Sequence, residues 1–119
     1  MPRFLLFIYL VLLTTGSLLP SAGMSGGGWD AAITPELQNL LHVPAYAVLV
    51  VLALWAVIAA GVGRRSQVLA CVGACLLWGA SLEWLQAAVV PGRVGSVGDF
   101  VLNSVGILIG TIVWHVRTN

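Results

Sequence analysis

The chain has 119 residues, of which 60% are hydrophobic and only 8% charged, with a net charge of +1 and a mean hydropathy of +1.03. Soluble domains carry roughly 25% charged residues and disordered chains are polar and charge-rich, so both classes are excluded. The near-neutral balance offers no basic face for nucleic acid and no polybasic membrane anchor, and the length allows one compact bundle without a separate soluble domain.

A helix rises about 1.5 Å per residue, so a hydrocarbon core of roughly 30 Å needs about 20 mostly apolar residues. The first apolar run is Phe4–Leu19. It has a signal-peptide alternative, with Arg3 ahead of the core Phe4–Leu13 and small residues at Ser21-Ala22-Gly23. The run continues through Thr14–Leu19 to Pro20, however, which is longer than a signal core, and it is read as a span. A Gly/Ser-rich stretch follows to Asn39, in which Gly26-Gly27-Gly28 lacks the lysine and the strand–helix context of a phosphate loop.

Thr34-Pro35-Glu36 reads as a helix start: a capping hydroxyl, a proline in the first turn and an acid near the positive helix end. Pro44 cannot donate a backbone hydrogen bond and is expected to kink that helix near His42, laying Leu37–Leu41 along the membrane interface. The second span is Leu40–Gly63, a tight turn is expected at Arg64–Gln67, and the third span is Val68–Val90. Cys71 and Cys75 share a face of it and read as small packing residues, because no second pair stands at ligand spacing. After Pro91–Asp99 the fourth span is Phe100–Val116, short like the first. The fold expected is an all-α membrane protein, a single four-transmembrane-helix bundle over residues 1–119.

Arginine sets the orientation. Arg3, Arg64, Arg65 and Arg117 fall on one side of a four-span arrangement and only Arg93 on the other, so both termini are expected in the cytoplasm. Asp30, Glu36, Arg93 and Asp99 then lie outside.

Polar side chains inside spans need a reason, since a charge at mid-membrane costs roughly 2.5–3.5 kcal/mol on insertion scales. His42 opens the second span, with Tyr46 on the same face. Glu83 and Gln86 share a face near the outer end of the third. Arg93 follows in the loop, and Asp99 and Asn103 begin the fourth span on one face. Below them, Gly106 and Gly110 form a small-xxx-small pair suited to close helix packing, and Cys71, Cys75 and Gly79 continue the face of Glu83. The expected shape is a bundle tight at its inner end and open outward as a shallow polar pocket. Each residue also has a structural reading: Glu83 and Gln86 as interhelical glue, Arg93 as a neutralising partner of Asp99 or Glu83. Six polar groups at one depth on inward faces favour a functional site. His115, beside Trp114 and Arg117, reads as an interfacial anchor, and Trp29, Trp55, Trp78 and Trp84 as interfacial or lipid-facing packing.

This pattern resembles the VanZ-like family of small membrane proteins. The matching elements are Leu18-Leu19-Pro20, His42-x-x-x-Tyr46, Glu83-x-x-Gln86, Pro91-Gly92-Arg93 and Asp99-x-x-x-Asn103-x-x-Gly106-x-x-x-Gly110. Family members commonly carry an acidic–basic pair shortly before the histidine, where this chain has Gln38 and Asn39. The family takes its name from an accessory of glycopeptide (teicoplanin) resistance. The resemblance thus implies a bacterial inner-membrane protein of the cell envelope.

Two functions of different classes follow. In the first, an outward-facing site binds or modifies a lipid-linked or envelope small molecule. His42, Glu83 and Asp99 are its candidate acid–base groups, and Gln86, Arg93, Asn103 and Tyr46 its candidate substrate-binding groups. In the second, the chain is a non-catalytic accessory subunit that packs against a larger membrane complex. Membrane lipids are expected partners in both and nucleic acid in neither. The residues leave open whether the chain is an enzyme. No cofactor motif is present, and without zinc-ligand spacing a metal site of His42, Glu83 and Asp99 is disfavoured.

Overall fold

The computed structural model describes residues 1–18, 35–58, 64–90 and 97–119. They form helices α1 (Pro2–Ser17), α2 (Pro35–Leu40), α3 (His42–Ile58), α4 (Arg64–Val89) and α5 (Val97–Thr118), with no strand among them. The fold is an all-α bundle of four long helices with α2 as a short addition. At 26 and 22 residues, α4 and α5 are long and apolar enough to cross a membrane. The shorter α1 and α3, of 16 and 17 residues, are apolar throughout much of their length.

α3 is the hub. It packs most extensively on α5 and also meets α1, α2 and α4. Its Tyr46, Leu49, Val50, Ala53 and Leu54 form the core with Cys71 and Cys75 of α4 and Ile107 of α5. Both cysteines are buried as free thiols within that cluster. α1 lies at the periphery with no buried residue, resting Leu6, Tyr9, Leu10 and Leu13 on the core and turning Phe4, Phe7, Val11 and Leu12 outward. Tyr9 ties it to α3 by donating its hydroxyl to the Ala45 carbonyl at 2.7 Å.

Two glycines bring α5 against α3. A Cβ on Gly110 would lie 2.5 Å from both the Ala47 carbonyl oxygen and a Val50 methyl, and one on Gly106 would press still closer on the Val43 carbonyl. Any larger residue would hold the two backbones apart.

The local breaks follow from particular residues. Pro44 has no N–H to give the Leu40 carbonyl, and the chain turns at Leu41 between α2 and α3, bridged by Leu41 N–H to Leu37 and Ala45 N–H to Leu41. The capping position Thr34 lies outside the described residues. At the other end of α3 the structure corrects the sequence reading: Arg64–Gln67 is not a tight turn but the first turn of α4. Hydropathy alone hides it, because Arg and Gln are good helix formers whose polarity interrupts an apolar run without interrupting a helix.

Candidate functional site

His42 opens α3, Asp99 lies in the first turn of α5, and Glu83 and Gln86 lie in the last two turns of α4. α1 and α4 therefore run toward one end of the bundle and α3 and α5 away from it. That alternation stacks residues distant in sequence onto one level. One ligand-capable atom from each of His42, Glu83 and Asp99 lies within 4.8 Å of the others. Glu83 is buried, while His42 and Asp99 are half-buried at the rim.

The histidine is held from two sides. Its Nδ1 lies 2.8 Å from Asn103 Oδ1. A carbonyl oxygen only accepts, so Nδ1–H is the donor. Tyr46, one turn along α3, stacks on the imidazole with ring centroids 6.4 Å apart and planes 17° from parallel. Asn103 is 1% exposed, and its Nδ2 is buried with no partner among the described residues. The amide is accommodated by Gly79, where a Cβ would stand 3.0 Å from Tyr46 Cε1 and 3.3 Å from Asn103 Nδ2. Gly79, one turn before Glu83 on α4, thus makes the space in which Tyr46 and Asn103 meet. Its place in the sector of Glu83 was legible; its role needed the partner helices.

Gln86 takes a different direction. It is 3% exposed and donates Nε2–H to the Ser17 carbonyl at the C-terminus of α1. Helix ends leave carbonyls without intrahelical partners, so Gln86 satisfies one of them and joins α1 to α4. Neither Ser17 nor Tyr9 stood out in the sequence, because a hydroxyl or a carbonyl in an apolar helix gives no sign of which neighbour it will meet. Arg93, Asp30 and Trp29 lie outside the described residues.

At the opposite end, His115 is exposed and meets the Asn119 side chain. Trp55, Trp78 and Trp84 are exposed on the outside of the bundle.

The VanZ/LLP1 family model matches residues 6–118 of the chain. The chain belongs to the VanZ/LLP1 family. No curated protein and no solved structure matches it. Membership of this family, together with two helices of spanning length, points to a membrane protein. For a VanZ/LLP1 chain so poor in charge, a histidine and two carboxylates on three different helices within 4.8 Å form a notable concentration of ionisable groups. Such a set can exchange protons, bind a cation, or orient a polar headgroup.

Proposed function

We propose that this VanZ/LLP1 protein is a multi-pass protein of the bacterial inner membrane, a single domain in which α1, α3, α4 and α5 all cross the bilayer. Both termini are cytoplasmic, and the His42–Glu83–Asp99 end faces outward, where it binds or modifies a lipid-linked or other cell-envelope small molecule. The observation that carries the reading is the convergence of those three side chains, backed by Asn103, at one end of an apolar bundle. His42 and Glu83 are its acid–base pair with Asp99 beside them. Asn103 and Tyr46 orient the imidazole, Gln86 holds α1 against the site, and Arg93 provides the cation for a phosphate or carboxylate.

The arginines support the orientation. Arg64 and Arg65 begin α4, Arg3 lies at the start of α1 and Arg117 at the end of α5, all at the end away from the site. The outward apolar surface supports immersion in lipid: Phe7, Leu77, Trp84, Leu108 and Val116 are each more than half exposed. Large apolar side chains exposed in such number on every long helix suit contact with lipid better than with water. Spans as short as α1 and α3 are accommodated by flanking residues and local thinning. Reporter fusions at Asn119 and after Arg65 should read cytoplasmic and a fusion in Gly26–Gly28 external. An external signal at Asn119 would overturn the orientation.

An accessory-subunit reading has one observation of its own: Leu77, Ser81 and Trp84 line a shallow surface depression on α4 that a neighbouring helix could fill. Glu83→Gln separates the two. In a ligand site it preserves shape and folding and abolishes the phenotype that the intact gene confers. In a structural cluster paired with Arg93, it leaves a partly buried cation uncompensated, folded yield falls, and adding Arg93→Gln partly restores it. We expect the stable, inactive single variant; an unstable one rescued by the double change would sink the ligand-site reading.

A further inference from the structure

We propose that His42, Glu83 and Asp99 bind a single divalent cation of the zinc or manganese class at this end of the bundle. The proposal rests on reading this cluster as a ligand site and names what it takes.

The first argument is the donor set. One imidazole nitrogen and two carboxylate oxygens, each from a different helix, lie within 4.8 Å of one another. In a tetrahedral zinc site, bonds of about 2.0–2.2 Å put the donors roughly 3.3–3.6 Å apart, so the most distant pair needs a closure of about 1–1.5 Å. A closure of that size is within the reach of side-chain rotation. A mixed nitrogen and carboxylate set suits zinc, manganese or ferrous iron, whereas calcium and magnesium prefer oxygen alone and soft metals prefer sulfur.

The second argument is independent of the cluster and comes from Asn103. Its Oδ1 accepts from His42 Nδ1–H, which occupies that nitrogen and leaves Nε2 as the one that would meet a metal. Metal-binding histidines are characteristically held in this way, by a buried acceptor on the nitrogen that does not bind the metal. The same amide keeps a second, unused donor: Nδ2 is buried, without a partner among the described residues, in a side chain 1% exposed. It reaches α4 at Gly79, one turn from Glu83. A buried donor without an acceptor is costly, and a water or anion held by the cation would supply one.

The third argument is the donor count. Three protein donors leave a coordination position open, the arrangement that distinguishes reactive metal sites from closed structural ones, and an envelope phosphate or carboxylate could occupy it.

The test uses the full chain in detergent, stripped with a chelator and titrated with Zn²⁺, Mn²⁺ and Co²⁺, the last as a spectroscopic probe, with Mg²⁺ and Ca²⁺ for comparison. Saturable binding of about one equivalent of Zn²⁺ or Co²⁺ is expected, with a raised unfolding temperature. His42→Ala and Asp99→Asn should each weaken it at least tenfold, and Asn103→Ala by about ten- to a hundredfold. Asp99→Asn keeps the shape of a half-buried residue, so the test survives if His42→Ala fails to fold. His115→Ala, which removes the other histidine, should change nothing. No saturable binding by the unaltered chain, binding that persists in folded Asp99→Asn, or binding lost in His115→Ala would overturn the metal. Absence of binding with an intact Glu83-dependent phenotype overturns the metal alone. Binding without any such phenotype supports the metal and overturns the functional reading above.

Discussion

The two ends of the bundle are both polar, yet they are built in opposite ways. At the His42 end the polar groups point inward: Asn103, Gln86 and Glu83 are buried, and their described hydrogen bonds cross between helices, His42 to Asn103 and Gln86 to Ser17. At the arginine end they point outward. Arg64 donates to the Thr118 carbonyl and hydroxyl, and His115 meets Asn119, all on the exposed rim. Gln67 and Trp114 are exceptions there: Gln67 Oε1 and Trp114 Nε1 are buried and unpartnered among the described residues. An exposed arginine keeps most of its hydration and gains little from a contact. A buried amide or carboxylate has given up its water and must be repaid within the protein. Polarity at a helix end is therefore ordinary; polarity turned into a bundle is what marks a candidate site.

That difference can be broken experimentally, starting with the contact that supports the inward-facing end. Gly106→Ala should destabilise the bundle by about 1–3 kcal/mol, because its Cβ meets the Val43 carbonyl in the first turn of α3, directly beside His42. Gly73→Ala on α4, with nothing within 4 Å of the new Cβ, should be neutral or gain up to about 1 kcal/mol from helix propensity. Thermal unfolding of the two variants in the same detergent makes the comparison, and equal losses would count against close α3–α5 packing as the support of the site.

Asn103→Leu comes next. It fills similar volume but removes the acceptor of His42 Nδ1–H, and should cost about 1–3 kcal/mol if that donor is left unsatisfied. The imidazole should also lose its single orientation, visible as a changed tautomer ratio in nitrogen NMR of labelled His42. An unchanged His42 spectrum would show that Asn103 does not set the ring.

Arg64→Ala should have the smallest effect. Its contacts to Thr118 are exposed, so a stability change within about 0.5 kcal/mol is expected, with the ligand-site phenotype retained. A loss comparable to that of Asn103→Leu would erase the distinction between the ends.

How much of this was legible in the sequence differs residue by residue. The break before His42 could be read from Pro44, because a missing N–H is a property of one residue and needs no neighbour. The start of α4 could not, because the hydropathy of Arg64–Gln67 reports polarity and not backbone conformation. Glu83 and Gln86 fall on one helical face by spacing alone, but that face is wide: Gln86 turns to Ser17 of α1, while Glu83 stands with His42 and Asp99.

The sequence by itself determined the helical class, the VanZ/LLP1 pattern and the identity of the polar residues, since apolar run length, proline chemistry and helical periodicity are local properties of a chain. Only the tertiary structure decided which polar groups meet. The 4.8 Å grouping of His42, Glu83 and Asp99, the amide of Asn103 on Nδ1, and the recess at Gly79 all depend on how α3, α4 and α5 are set against one another. Helical spacing gives the face a residue occupies to within a sector. Whether two sectors on different helices share one site depends on axial offset and rotation, which come from the packing of Gly106 and Gly110 on α3 and from no single helix alone.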